Sequence, residues 1–80
     1  MKDLFEKSIN TEIGPIIFSF EKIHFESGLR YHLRFKDEHN SQKTCILKPG
    51  ENGKWVFEDQ LLPTWIFALE LDFNDAIDEN

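Results

Sequence analysis

Leu29-Arg30-Tyr31-His32-Leu33-Arg34-Phe35-Lys36 alternates apolar and basic side chains along its whole length. Successive side chains of a strand point to opposite faces, so Leu29, Tyr31, Leu33 and Phe35 are predicted to enter a core while Arg30, His32, Arg34 and Lys36 line a basic, solvated face. A half-buried strand of this kind belongs to an antiparallel sheet that shows one side to water.

The stretch before it, residues 16–25, is rich in β-branched and aromatic residues and reads as a partner strand. Phe18 and Phe20 have one parity, Ile23 and Phe25 the other. A β-bulge at Glu21-Lys22 would bring all four to one face, and a bulge is predicted there. Glu26-Ser27-Gly28 fits a three-residue hairpin loop with a left-handed Gly28. That register sets Phe25 opposite Leu29 and Ile23 opposite Tyr31, and puts Lys22 and His24 on the basic face with Arg30 and His32. After the polar loop at 37–42, residues 43–48 read as a third strand. Pro49-Gly50-Glu51-Asn52-Gly53 reads as a turn, with Asn52 and Gly53 suited to positive φ, and residues 54–58 read as a fourth strand.

Residues 62–77 carry two periods. Trp65, Phe67, Leu69, Leu71 and Phe73 alternate as in a strand; Leu62, Ile66, Leu69, Phe73, Ala76 and Ile77 follow the three-four spacing of a helix. The helical stripe runs farther, and Pro63 suits a first turn, so a helix is expected. At 100° per residue, Phe67 and Leu71 fall roughly 140–180° from the middle of the packed stripe. Their exposure beside Trp65 suggests a contact surface. Residues 2–9 could form a short N-terminal helix, although so short a segment needs tertiary support.

Eighty residues suit one small domain, 1–80, which buries only about 60–65% of its unfolded surface. Eight Phe, two Trp and one Tyr make that core aromatic. The predicted fold is therefore α+β: a four-stranded antiparallel meander in the order 1-2-3-4, one face covered by a C-terminal amphipathic helix.

Net charge is −6, distributed unevenly: residues 1–50 hold eight Lys/Arg against seven Asp/Glu, while residues 51–80 hold Lys54 against eight acids. So acidic a chain is a poor nonspecific binder of phosphate backbones, and nucleic acid is not the expected partner. The N-terminal residues show no apolar run of a secretory signal and no stretch is long enough to span a bilayer, so no membrane association and a cytoplasmic location are expected. One cysteine, Cys45, forms no internal disulfide.

His24, His32, His39 and Cys45 match no zinc-ligand spacing, and no metal or cofactor is expected. Asp37-Glu38 and Glu58-Asp59 read as surface charge rather than as an acid-base pair, which would need a desolvated cleft. The expected function is thus a non-enzymatic protein-interaction module. Its partner, another protein or a second copy in a homodimer, would meet the basic face of Lys22, His24, Arg30, His32, Arg34 and Lys36, or the exposed Trp65, Phe67 and Leu71. Two alternatives are an acidic charge mimic that inhibits a nucleic-acid-binding protein, of the phage or plasmid type, and a weak RNA binder using the basic sheet face.

Overall fold

The computed structural model describes residues 3–58 and 61–80. Five strands, β1 (Leu4–Thr11), β2 (Gly14–Phe25), β3 (Gly28–Lys36), β4 (Gln42–Pro49) and β5 (Trp55–Phe57), form one antiparallel sheet in sequence order. Two helices follow, α1 (Thr64–Phe67) and α2 (Glu70–Glu79). The predicted α+β class and consecutive order hold, with five strands in place of four. The sheet curls into half a barrel whose concave side is closed by the helices.

The additional strand is β1, where a short helix was expected. Phe5 and Ile9 lie four apart, a spacing that one helix face and one strand face share, and the strand reading wins because β2 offers an eight-residue ladder from Leu4–Glu21 to Thr11–Gly14. Phe5 stacks flat on Phe20 across that ladder, ring centroids 4.6 Å apart. Lys7, between Phe5 and Ile9 on the same inner face, reaches the rim and donates to Glu79 at 3.2 Å. The β1–β2 turn is closed by Thr11, whose hydroxyl donates to the Gly14 carbonyl (2.7 Å) and accepts from the Ile13 N–H (3.1 Å).

The bulge at Glu21-Lys22 does not form. The β2–β3 ladder runs unbroken from Ser19–Arg34 to Phe25–Gly28, so His24 faces Leu29, Lys22 faces Tyr31 and Ile23 faces Arg30. The hairpin turns through Glu26 and Ser27 alone, with Gly28 at φ 126° immediately after, a conformation that costs a glycine little. This register slips by one residue from the predicted one, and it sends Ile23 and Phe25 to the convex face. Keeping every rung outweighs burying those two side chains, because Tyr31 and Trp55, 4.7 Å apart and edge to face, already fill that end of the concave side.

Asn52 (φ 62°) and Gly53 (φ 73°) take the positive φ expected of them, within a single 3₁₀ turn at Glu51–Gly53. The C-terminal segment is helical, but it breaks in two at Ala68–Leu69 rather than running on. The predicted stripe is the one that packs: Ile66, Leu69, Phe73 and Ala76 are buried, with Leu62 and Ile77 against them. Phe73 is fully buried and meets Phe18, Phe20 and Phe57 edge-on at 5.0, 5.8 and 5.9 Å. No described helix is long and apolar enough to cross a membrane.

Candidate functional site

With the helices on the concave side, the convex side is left to solvent. The register orders its side chains into rows: Leu4, Glu21, His32 and Ile46 in one, Glu6, Ser19, Arg34 and Thr44 in the next, and Ile23 beside Arg30 on the other flank. Val56, paired with Lys48, extends the surface to β5. Down its middle, β3 presents Arg30, His32, Arg34 and Lys36, the column that the alternation of that strand predicts.

Two of these cations already meet acids of the same face. Arg30 donates from Nε to Glu58 Oε1 at 2.8 Å and from Nη1 to the Leu29 carbonyl at 2.8 Å. Arg34 lies 3.6 Å from Glu21. The exposed Arg34–Glu21 pair contributes only about 0–1 kcal/mol, so a partner's carboxylate can compete for Arg34, whereas Arg30, with its side chain 17% exposed, is held more firmly by its two short bonds. Around the column the face carries apolar side chains that nothing covers: Leu4 is 58% exposed, Ile17 61% and Phe25 52%. Ile23, Ile46 and Val56 are half-buried among them.

Lys22 and His24 are separated from this surface. Without a bulge they have the parity of Phe18 and Phe20, and they sit toward the concave side at the end where Tyr31 packs on Trp55. Burial pushes the Tyr31 hydroxyl pKa up, and Asp3 adds to the shift. The predicted six-residue basic patch is therefore a four-residue column. The aromatic set is divided as well: Trp65 is half-buried with its ring edge-on to Phe35 at 5.8 Å, Phe67 meets Phe57 edge-on at 5.1 Å while staying 37% exposed, and Leu71 is 71% exposed. Leu71 and Phe67 lie on the helical side of the molecule, away from the β3 column.

A depression of about 610 Å³ adjoins the convex face where β2 and β3 part. Their ladder ends at Ser19–Arg34, although β2 continues back to Gly14 and β3 on to Lys36. Ile13, Ile17 and Phe35 give it apolar walls, and Glu6, Arg34 and Lys36 a mixed rim. The neighbouring β3–β4 loop is fixed by Asp37, whose Oδ1 accepts the His39 and Ser41 N–H groups at 2.9 and 3.0 Å. Asn40 there takes φ 62°.

The Ser41 N–H, foremost, and that of His39 hold the Asp37 carboxyl below its ordinary pKa against a smaller opposing effect of burial. A depressed carboxyl contributes loop stability that is complete above the unfolded value of about 3.9 and disappears as pH falls through the folded value. An NMR titration should place the Asp37 midpoint below that of an unstructured aspartate, with the His39 and Ser41 amides shifting in step. A midpoint at the ordinary value would mean that these bonds are absent in solution.

Among the described residues, no three His, Cys, Asp or Glu side chains converge as metal ligands. Cys45 is wholly buried opposite Leu33. Comparison with protein-family profiles, with curated proteins and with solved structures gives no match to this chain.

One polar residue that the sequence reading passed over is central to the architecture. Asn74 is buried; its Oδ1 accepts the Trp55 N–H at 2.7 Å, and its Nδ2 donates to the carbonyls of Trp55 (3.0 Å) and Glu70 (2.9 Å). A signal was there to read: Asn74 is the one uncharged polar residue between Trp65 and Glu79, set among acids one turn before Ile77.

Proposed function

We propose that this chain is a non-enzymatic protein-interaction module whose binding surface is the convex sheet face. The observation that carries this reading is the exposure of Leu4, Ile17 and Phe25 on β1 and β2, along one flank of the β3 column of Arg30, His32, Arg34 and Lys36. Apolar side chains flanking cations suit a partner that brings apolar side chains and carboxylates together.

The face is less suited to RNA. Phe18, Phe20, Tyr31 and Phe35 turn inward, leaving Phe25 as the one aromatic of β2 and β3 on the convex side, which is too few rings for a stacking platform.

The test is affinity capture from an extract of the source organism on the immobilised chain, with bound proteins identified by mass spectrometry. Proteins held by the parent should be lost on Phe25→Asp and kept on His24→Ser, and nuclease treatment should change nothing. Capture that ignores Phe25→Asp, or that nuclease abolishes, would overturn the reading.

A further inference from the structure

The acidity of the chain has a definite location. Helix α2 carries Glu70, Asp72, Asp75, Asp78 and Glu79 and not one basic residue. Glu79 is engaged by Lys7, and Glu70 is half-buried. Leu71, Asp75 and Asp78 follow one another at helical spacing on a single outward side, and Leu71 is the most exposed residue of α2's apolar set. An acidic surface with an apolar anchor therefore lies on one side of the molecule. A basic column ringed by Ile23, Phe25 and Ile46 lies on the other.

We propose that the partner seated on the convex face is a second copy of this chain, joined head to tail, with Leu71 of its helix lodged beside Phe25 and Ile23 and its Asp75 and Asp78 facing Arg30 and Arg34. The proposal rests on the convex face being the binding surface. Charge complementarity selects the occupant: Asp75 and Asp78, which form no ion pair among the described residues, meet Arg34, whose 3.6 Å pair with Glu21 is exposed, and the open edge of the more enclosed Arg30. Space is sufficient, since the molecule measures 35 × 26 × 21 Å and its broad face can supply the roughly 800 Å² per partner of a stable interface.

Because helix and convex face lie on opposite sides of the sheet, no copy can satisfy both of its own surfaces, and a symmetric pair burying one patch against itself would set like charges together. The contact is heterologous, so every added copy presents a fresh patch of each kind. Assembly proceeds to an open chain, or to a ring if the rotation closes.

Sedimentation velocity on the full chain tests this. The parent should sediment progressively faster from micromolar to millimolar concentration, passing beyond a dimer, and less so in high salt, which screens the exposed charges. Leu71→Asp and Phe25→Asp should each stay monomeric alone. Mixed, they should form a one-to-one dimer and nothing larger, because each retains the one patch that the other lacks. Circular dichroism melting confirms that each variant is folded; Ile23→Asp replaces Phe25→Asp if the latter melts early.

A parent that remains monomeric at millimolar concentration, a single variant that still pairs with itself, or a mixture that stays monomeric would each overturn head-to-tail assembly. If the monomeric parent nonetheless captures another protein through Phe25, the convex face stands as the binding surface and only the identity of its occupant is wrong.

Discussion

Phe73→Ala should cost about 3–5 kcal/mol of folding stability, the range for truncating a buried phenylalanine. The side chain is fully enclosed, and its ring is the hub on which Phe18, Phe20 and Phe57 converge edge-on at 71–78°. Each such pair adds roughly 0.5–1.5 kcal/mol beyond burial of area, so the loss extends past the cavity itself. A domain this small has a stability near the lower end of the usual range of about 5–15 kcal/mol. The variant should therefore melt at least ~12 °C below the parent, at roughly 4–8 °C per kcal/mol for a domain of 60–100 residues. Thermal melting by circular dichroism provides the measurement. A loss below about 1 kcal/mol would show that the helix is not seated on the sheet through Phe73.

Asn74→Ala should cost about 2–3 kcal/mol, by a different route. Hydrogen-bonded pairs alternate along a ladder, and since the Glu58 N–H bonds to the Ile46 carbonyl, the even-numbered residues of this segment turn toward β4. Trp55 consequently turns its N–H and C=O outward, and the Asn74 amide receives both, as the peptide group of a sixth strand would. Truncation leaves that donor and acceptor unmatched in a half-buried place, and each orphaned group costs about 1–3 kcal/mol unless water reaches it. Two readouts separate this from general loosening: the chemical denaturation midpoint should fall, and exchange of the Trp55 amide should accelerate more than that of Leu33 in the centre of the sheet. Unchanged protection of Trp55 would refute the role given to Asn74. Asn74→Asp should be worse than Ala near neutral pH, because it removes the donor and buries a charge.

The difference between what could be read and what could not follows from physical scale. The β3 alternation and the 66-69-73-76 stripe were legible because each repeats one period over several turns or rungs, and the structure buries Tyr31, Leu33, Phe35 and the stripe as read, while Leu29, expected inside, and Arg30 and His32, expected in solvent, are all half-buried. Asn52-Gly53 was legible because a positive φ restricts the residue type at that position. Phe5 and Ile9 were not, since two apolar residues four apart satisfy a strand and a helix alike, and only the ladder offered by β2 decides between them. The absent bulge is the instructive case. A sequence weighed by its hydrophobicity asks for Ile23 and Phe25 inside, and a chain whose inside is already filled by Tyr31 and Trp55 puts them outside. Of the surface residues, Arg30, His32, Arg34 and Lys36 share one face because their parity is set by their own strand. Lys22 and His24 fell away because theirs depended on the bulge.

Strand β2 bonds to β1 along its first part and to β3 along its last, and the two ladders share only the four residues from Ser19 to Lys22. The sheet is thus two ribbons welded over a short seam, with Phe20 on the inner side of the weld, stacked on Phe5 and opposite Leu33. The coupling of β1 to β3 passes through those four peptides. The angle between the ribbons, and with it the curl that leaves one sheet face bare, is set where the backbone of β2 is bonded on both flanks at once.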